Sequence, residues 1–268
     1  MTATGRLSTS SPNFQNIPIR TEDGKEIRKA IKAQSHEYQI FSADYSQVEL
    51  RVMAHLSGDE SLISALNNGE DIHTFTAKNI FNVDNDDMVL PEMRRIAKIV
   101  NFGIMYGAGP FRLSQELDIP FGEAKQIKDA YFEKYQGIEK YIENSKLQIK
   151  ETKSVETLLG RKRAVWDSDS QNKIRRDAAE RMAINMPIQG TAAEMIKLAM
   201  IKIHRQINKE NLKSKLIMQI HDELLLEVHQ DEIDYISKMV IEHMRDAMKL
   251  DVPIEIDFGV GPSWYEAH

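Results

Sequence analysis

The strand-forming runs that could build a sheet stand near both ends of this 268-residue chain, and a long helical pattern fills the middle. Any such sheet must therefore be assembled from segments remote in sequence, with the helices inserted between them. That is an α+β architecture with a helical insertion. Tyr38-Gln39-Ile40-Phe41-Ser42-Ala43 reads as a strand ending at Asp44. Lys215 to Ile220 and Glu223 to Val228 are two further β-type runs separated by His221-Asp222, and Ile254 to Phe258 reads as a closing strand. Residues 1–20 read as extended or looped. After Asp44 a helix is expected, opened by the capping box Ser46-x-x-Glu49 and running toward Gly58.

From about 60 to 186 the apolar spacing is helical, with breaks near Gly69, 82–90, Gly107–Pro110 and 120–122. Pro91 suits the first turn of a helix and Gly107 its end. Residues 154–166 read as a short hairpin or loop. Gln171 to Met186 reads as a helix stopped by Pro187, and Thr191-x-x-Glu194 as the cap of another reaching about 209. A last helix spans 231–249.

There is no Cys, which excludes disulfides and thiolate metal sites. No apolar run approaches the roughly 20 residues that span a bilayer, and no signal peptide is visible. A cytoplasmic protein with no membrane partner is expected. The net charge is −6, whereas nucleic-acid proteins are more often basic. Cationic residues are nevertheless clustered at Arg94-Arg95 with Lys98, at Arg161-Lys162-Arg163, and at Arg175-Arg176 with Arg181. A basic groove can sit on an acidic body.

Two acidic clusters carry the first chemical reading. Asp44 stands where a strand meets a helix, and Asp222 with Glu223 stands at a strand-to-strand corner. Each has a structural alternative: Asp44 as helix-capping chemistry, Asp222 as a loop residue capping backbone N–H groups. A two-residue corner needs positive φ, and His221-Asp222 is a poor pair for it, so strain kept for function and a longer ordinary loop both remain open. Taken together, two aspartates on adjacent strands suit Mg²⁺, which uses one or two carboxylates plus substrate phosphates. Two such ions form the clamp of two-metal phosphoryl chemistry. Glu223 is expected on the opposite strand face unless the turn reorients it.

The helix from Pro91 places Arg94, Lys98, Phe102 and Tyr106 at steps of four, a drift of roughly 40° per step. Ile96, Val100 and Ile104 fall on the other side and should be buried. A plain solvated basic face does not explain Phe102 and Tyr106 on the cationic side. Cations with aromatics suit a triphosphate with a base stacked beyond it. Arg181, Asn185 and Gln189 also recur at steps of four, which fits minor-groove contacts or an ordinary polar helix edge equally. His73 is either a phosphate contact or a surface histidine. Asn13, Gln15, Asn16 and Arg20 are a weak signal for backbone tracking.

These residues also resemble a known family. Asp44-Tyr45-Ser46-Gln47-Val48-Glu49-Leu50-Arg51, Arg94-x3-Lys98-x3-Phe102-Gly103-x2-Tyr106-Gly107 and Gln219-Ile220-His221-Asp222-Glu223 are similar, in order, to the three polymerase motifs of the bacterial DNA polymerase I group, family A. Thr2-Ala3-Thr4-Gly5-Arg6-Leu7, Asn13–Arg20, Gly160-Arg161 and Met186-Pro187-Ile188-Gln189-Gly190-Thr191 extend the similarity over essentially the whole chain. The resemblance implies a right-hand architecture, with an antiparallel palm sheet (1–56 and 189–268) and a helical fingers insertion (57–188). It implies DNA-templated DNA synthesis in replication and repair, with primer–template DNA and dNTPs as partners and a monomeric enzyme. Asp44, Asp222 and the Tyr45 carbonyl would bind two Mg²⁺, with Glu223 close by and secondary. Arg94, Lys98 and His73 would hold the triphosphate, and Lys98 would protonate the leaving pyrophosphate. Phe102 would stack on the nucleotide and Tyr106 lie beside the templating base, with Gln47 and Glu49 also at the nucleotide. Glu49 with Tyr106 would crowd a ribose 2′-OH, and Phe102 implies rejection of dideoxynucleotides. Arg6, Asn13, Gln15, Asn16, Arg20, Arg161, Arg181, Asn185, Gln189 and His221 would contact DNA.

The family carries a thumb, and often exonuclease domains, ahead of the segment that here follows Met1. The resemblance therefore implies a palm-and-fingers fragment with weakened DNA grip. The alternative is a fragment that binds dNTP or DNA without turnover. A two-metal phosphohydrolase ranks last, because it leaves the Arg94–Tyr106 strip unexplained.

Overall fold

The computed structural model describes Thr2 and residues 4–10, 13–18 and 21–268. In chain order the elements are α1 (Glu22–Ala30), β1 (Tyr38–Tyr45), α2 (Val48–Ser57), α3 (Glu60–Asn67), α4 (Ile72–Phe81), α5 (Pro91–Met105), α6 (Pro110–Leu117), α7 (Phe121–Lys134) and α8 (Gln136–Thr152). There follow β2 (Ser154–Glu156), β3 (Lys162–Ala164), α9 (Lys173–Lys209), β4 (Lys215–Ile220), β5 (Glu223–His229), α10 (Ile233–Arg245), β6 (Ile256–Gly261) and α11 (Trp264–Ala267). They group into two compact units. The first holds Met1–Val48, Ala192–Lys249 and Ile254–His268; the second holds Glu49–Thr191 and Leu250–Pro253.

The first unit is built on an antiparallel sheet in the order β4-β5-β1-β6. Strands remote in sequence become neighbours. β1 pairs with β5 from Tyr38↔His229 to Asp44↔Glu223, and with β6 from Ile40↔Gly261 to Tyr45↔Ile256. Ile40, Phe41, Ala43 and Leu224 to Leu226 are fully buried, as continuous apolar runs covered on both faces should be. Each such large side chain contributes about 1.5–3 kcal/mol by leaving water. α10 and α11 pack against β1, and Trp264 joins Ile40, Ile220 and Leu225 in one core cluster.

The second unit is helical apart from the β2–β3 hairpin. α4 packs on α5 and α7, α5 on α6, and α7 on α6 and α8. A separate cluster of Ile149, Val155, Val165, Ala179, Ala183 and Met186 ties α8 and the hairpin to α9.

The α+β class and the antiparallel sheet agree with the sequence reading, as do the helix breaks. Four local expectations need correction. Pro187 does not stop a helix: α9 runs unbroken from Lys173 to Lys209 with Pro187 inside it. Proline removes one intrahelical donor and crowds the preceding turn. Here Ala183, Ile184, Met186 and Ile188 are all buried, and Tyr141 donates to the Ile184 carbonyl at 3.2 Å, so packing holds the turn. Thr191 is consequently no cap; it lies mid-helix, fully buried, and its hydroxyl accepts from the Leu158 amide at 3.2 Å. The closing strand begins at Ile256, two residues later than expected. The helix expected over 231–249 is the shorter α10, preceded by a 3₁₀ turn at Gln230–Glu232 and followed by α11.

Two helices were not anticipated. α1 carries legible signals: Thr21 accepts from the Gly24 amide at 3.2 Å, Glu22 and Asp23 occupy the first turn, and Arg28 and Lys29 the last. A Cβ on Gly24 would stand 1.7 Å from the Pro18 carbonyl oxygen, so only glycine permits that approach. α11 has four residues, too few for a periodic pattern. Among the described residues no helix is long and apolar enough to cross a membrane.

Candidate active site

The sheet unites the acids. β1 delivers Asp44 opposite Glu223, the first residue of β5. The Tyr45 amide donates to the Asp222 carbonyl at 3.2 Å, so the β4–β5 corner is tied to the end of β1. His221 takes φ +51 there, an αL conformation unusual for histidine. The sequence had marked this corner as unfavourable, and the backbone is indeed in the left-handed region. Opposed residues of an antiparallel pair share a face. The turn thus brings Glu223 round to the side of Asp44, and Asp44, Asp222 and Glu223 line one cavity of about 90 Å³ with Arg28, Trp264 and His268.

The three acids are in different states. Glu223 is satisfied: its carboxylate accepts from Ser42 at 2.6 Å and from the Trp264 indole at 2.7 Å, and lies 3.4 Å from His268 Nδ1. Burial would raise its pKa, but hydrogen bonds from His268, Ser42 and Trp264 outweigh that and hold it low. Asp44 is the opposite. Its Oδ1 is buried without a hydrogen-bond partner. Burial pushes its carboxyl up to about 7, with the Asp222, Glu223 and Asp257 charges adding to the rise and His268 opposing it. Asp222 is also raised by burial, against Arg6 and His221. Its carboxylate keeps 30% exposure and lies 4.0 Å from Arg6.

An orphaned buried carboxylate oxygen beside a second raised carboxylate suits a divalent cation. Among the described residues no group of three or more His, Cys, Asp or Glu forms a self-contained metal cage. Two carboxylates are the usual protein share of a Mg²⁺ that also binds substrate phosphates, so the donor set fits that use.

The second unit presents the basic-aromatic strip. In α5 Arg94 and Lys98 are exposed, while Phe102 and Tyr106 are half-buried and stacked at 6.3 Å between centroids. The apolar side is buried at Ala97, Val100 and Ile104; Ile96 is half-buried. Arg94 grips Asp71 through two bonds of 3.1 and 2.7 Å. Asp71 also caps α4 by accepting from the Thr74 amide at 2.7 Å. Burial alone would raise the Asp71 carboxyl; Arg94 and Thr74 outweigh it and hold it down at about 2. His73 is 3% exposed and packs 5.8 Å from the Phe102 ring. It is no exposed surface histidine. Glu49, 6% exposed, accepts from the Tyr106 hydroxyl at 2.7 Å, joining the two residues that the sequence paired. In the first unit Gln47 takes φ +52 just ahead of α2 and is half-buried.

The residues expected at DNA are placed as follows. Arg181, Asn185 and Gln189 share one partly exposed edge of the unbroken α9, and Asn185 Oδ1 is buried without a partner. Arg161 is exposed beside β3. Asn13 accepts from the Gln15 amide and from Thr9, both at 3.1 Å, and Gln15 donates to the Leu7 carbonyl at 3.0 Å. His221 Nε2 reaches the Gln15 carbonyl at 2.9 Å. Asn16 is exposed. Arg20 lies outside the described residues.

Sequence reasoning missed Asp71, Asn101, and the donors to Glu223. Asp71 was findable as the N-cap of Asp71-Ile72-His73-Thr74. Ser42, Trp264 and His268 meet Glu223 only through tertiary folding, and nothing local marks them.

The sequence model of DNA polymerase family A matches residues 1–266. DNA polymerase I of Bacillus subtilis strain 168 is 48% identical over 267 residues, 100% of this chain and 30% of that protein. The thermostable DNA polymerase I of Thermus filiformis is 48% identical over 266 residues, 99% of this chain and 32% of that protein. Among solved structures, the POL domain of Pol1 from M. smegmatis in complex with DNA primer-template and dNTP superposes with a TM-score of 0.95 at 45% identity, covering 100% of this chain and 47% of that one. The chain thus spans about a third of the length of these curated relatives. With its sheet, its motifs and a family match running almost end to end, the chain belongs to DNA polymerase family A.

Proposed function

We propose that this chain carries the nucleotidyl-transfer site of a DNA-templated DNA polymerase. It adds dNTPs to a primer 3′-OH and releases pyrophosphate. The observation that supports this best is Asp44: a buried carboxylate oxygen without a partner, on the strand next to the Asp222 corner. The first unit takes the palm role and the second the fingers role.

Asp44, Asp222 and the Tyr45 main-chain carbonyl would hold two Mg²⁺. Such ions, when bound, acidify the attacking hydroxyl and offset charge on the leaving phosphates. Arg94 and Lys98 bind the triphosphate as cations, and Arg94 exchanges its Asp71 carboxylate for phosphate oxygens. His73 donates a further hydrogen bond to the triphosphate. Lys98 delivers a proton to the departing pyrophosphate. Phe102 stacks on the base. Glu49 and Tyr106, already bonded to one another, leave no room for a ribose 2′-OH. Arg6, Arg161, Arg181, Asn185, Gln189 and His221 position primer–template DNA, as do Asn13, Gln15, Asn16 and Arg20. Glu223 stands beside Asp44 and Asp222 in a secondary catalytic role. The M. smegmatis relative, solved with DNA primer-template and dNTP, supports the choice of partners. The reading includes a monomeric, cytoplasmic protein acting in replication and repair.

Because the chain spans only about a third of its relatives, a second reading is a body that binds dNTP or DNA without turnover. A primer-extension assay with Mg²⁺ at low salt separates the two. Template-dependent products that vanish with Asp222→Asn support synthesis. Tight binding with no extension at any salt supports the second reading.

A further inference from the structure

Behind the face that carries Phe102 lies a chain of hydrogen bonds that is almost wholly enclosed. The Tyr135 hydroxyl meets Thr76 Oγ1 at 2.8 Å. Thr76 Oγ1 meets the Asn101 amide, at 3.2 Å to Oδ1 and 3.1 Å to Nδ2. The same Asn101 Nδ2 then reaches His73 Nδ1 at 3.1 Å. Tyr135 and Thr76 are fully buried, Asn101 is 1% exposed and His73 is 3% exposed. The chain links α4, α5 and the end of α7 within one unit.

An amide nitrogen can only donate, so the His73 Nδ1 it faces must accept. A neutral imidazole that accepts at Nδ1 carries its proton at Nε2. No partner for Nε2 is found among the described residues, and Nε2 is not among the fully enclosed unpaired atoms. The remaining exposure of His73 therefore includes that atom. We infer that Asn101 is a positioning residue. It selects the Nε2–H tautomer of His73, so that the ring presents a donor, not a lone pair, to a phosphate oxygen of the incoming nucleotide. This rests on the nucleotide-binding reading above. The ring stays neutral because burial, helped by the Arg94 and Lys98 cations, outweighs the pull of Asp71 and pushes its pKa down to about 4. Without Asn101 the ring could turn its lone pair outward, and a lone pair facing phosphate repels it.

The test has a reading that needs no activity. In ¹⁵N-histidine-labelled protein at pH 7, ring-nitrogen shifts distinguish the two neutral tautomers, and comparison with His73→Gln identifies the resonance among the 8 histidines. The expected result is a single Nε2–H form. A Nδ1–H form, or an even mixture, in the unaltered chain overturns the inference whether or not any variant folds. Asn101→Leu keeps the size and removes the donor. It should give a tautomer mixture and weaken dNTP binding roughly tenfold, the loss of one charge-assisted hydrogen bond. Primer–template affinity should not change. In a His73→Gln background the same substitution should add nothing further to the dNTP loss. Unchanged dNTP affinity in a folded Asn101→Leu also overturns it. A pure Nε2–H form in a chain with no dNTP affinity would sink the nucleotide reading, and with it the purpose assigned to Asn101.

Discussion

The two units treat charge in opposite ways. At the end of β1 acids are crowded and one is left wanting: Asp44 is half-buried, its Oδ1 is enclosed and unpaired, and its carboxyl is pushed to about 7. Along α4 and α5 the polar groups are matched in advance. Asp71 holds Arg94 and the cap of its own helix, and Asn101 holds His73. The first arrangement is costly alone and becomes favourable when a cation arrives, since opposite charge restores the ionised form. The second is already stable and offers cations and a neutral donor to an anion. On the reading proposed above, the metal site is marked by what it lacks, and the phosphate site by what it has set in order.

The strongest way to break this contrast is Asp222→Asn. Loss of one metal ligand should lower primer extension on the order of a thousandfold. Melting of the metal-free chain should not fall, because a raised carboxyl is replaced by a neutral group. A variant that extends like the parent would remove the acids from the chemistry. Next is Arg94→Ala, expected to weaken dNTP binding by roughly 30-fold through the loss of a bidentate charged contact, measured by titration with labelled dNTP. Undiminished affinity would mean that Asp71 is the lasting partner of Arg94.

Glu223→Gln probes the satisfied acid beside the unsatisfied one. It should cost about 1–2 kcal/mol of stability, because Ser42, Trp264 and His268 all converge on one carboxylate oxygen, and a neutral amide oxygen is the weaker acceptor there. Extension should fall far less than with Asp222→Asn. Equal losses would make Glu223 a primary partner in the reaction.

The pH dependence should run in opposite directions at the two places. The Asp44 pKa in the folded chain, about 7, lies above the ordinary 3.8. The folded state therefore keeps a proton that the unfolded state loses, so this stability is full below about pH 4, declines through pH 7 and is flat above. Asp44→Asn should remove the decline and, without divalent ions, exceed the parent at pH 8 by roughly 1–2 kcal/mol. The His73 pKa, about 4, lies below 6.5. Its share of stability is full above pH 6.5 and is lost as pH falls toward 4, and His73→Gln should flatten that limb. Urea melts across pH 4–8 check both slopes; parallel curves for parent and Asp44→Asn would contradict the burial assigned to Asp44. The smallest effect is expected from Asp71→Ala, about 1 kcal/mol from the lost α4 cap. Asp71→Ser should recover most of it in the same melts without restoring the grip on Arg94.

Much was legible before folding was known, because its causes are local. Pro91 at the start of α5 and the break near Gly107 bounded that helix to within a residue or two. The four-residue step of Arg94, Lys98, Phe102 and Tyr106 was visible because a helix keeps such residues on one side. The His221 corner announced itself as an ill-suited pair for a tight turn. What failed was also physical. A proline looks like a stop in sequence, yet the buried flank of α9 carries the helix through Pro187.

By itself, then, the sequence determined most of the strands and helices, the basic-aromatic strip, and the two aspartates worth watching, since short-range sterics and periodicity act over a few residues. Tertiary structure alone decided which acid is satisfied and which is not. Ser42, Trp264 and His268 converge on Glu223, Asp44 Oδ1 is left bare, and Asn101 is set against His73, through contacts made by segments far apart in the chain. Hydrogen bonding and desolvation depend on which groups meet in space, and no local pattern encodes that meeting.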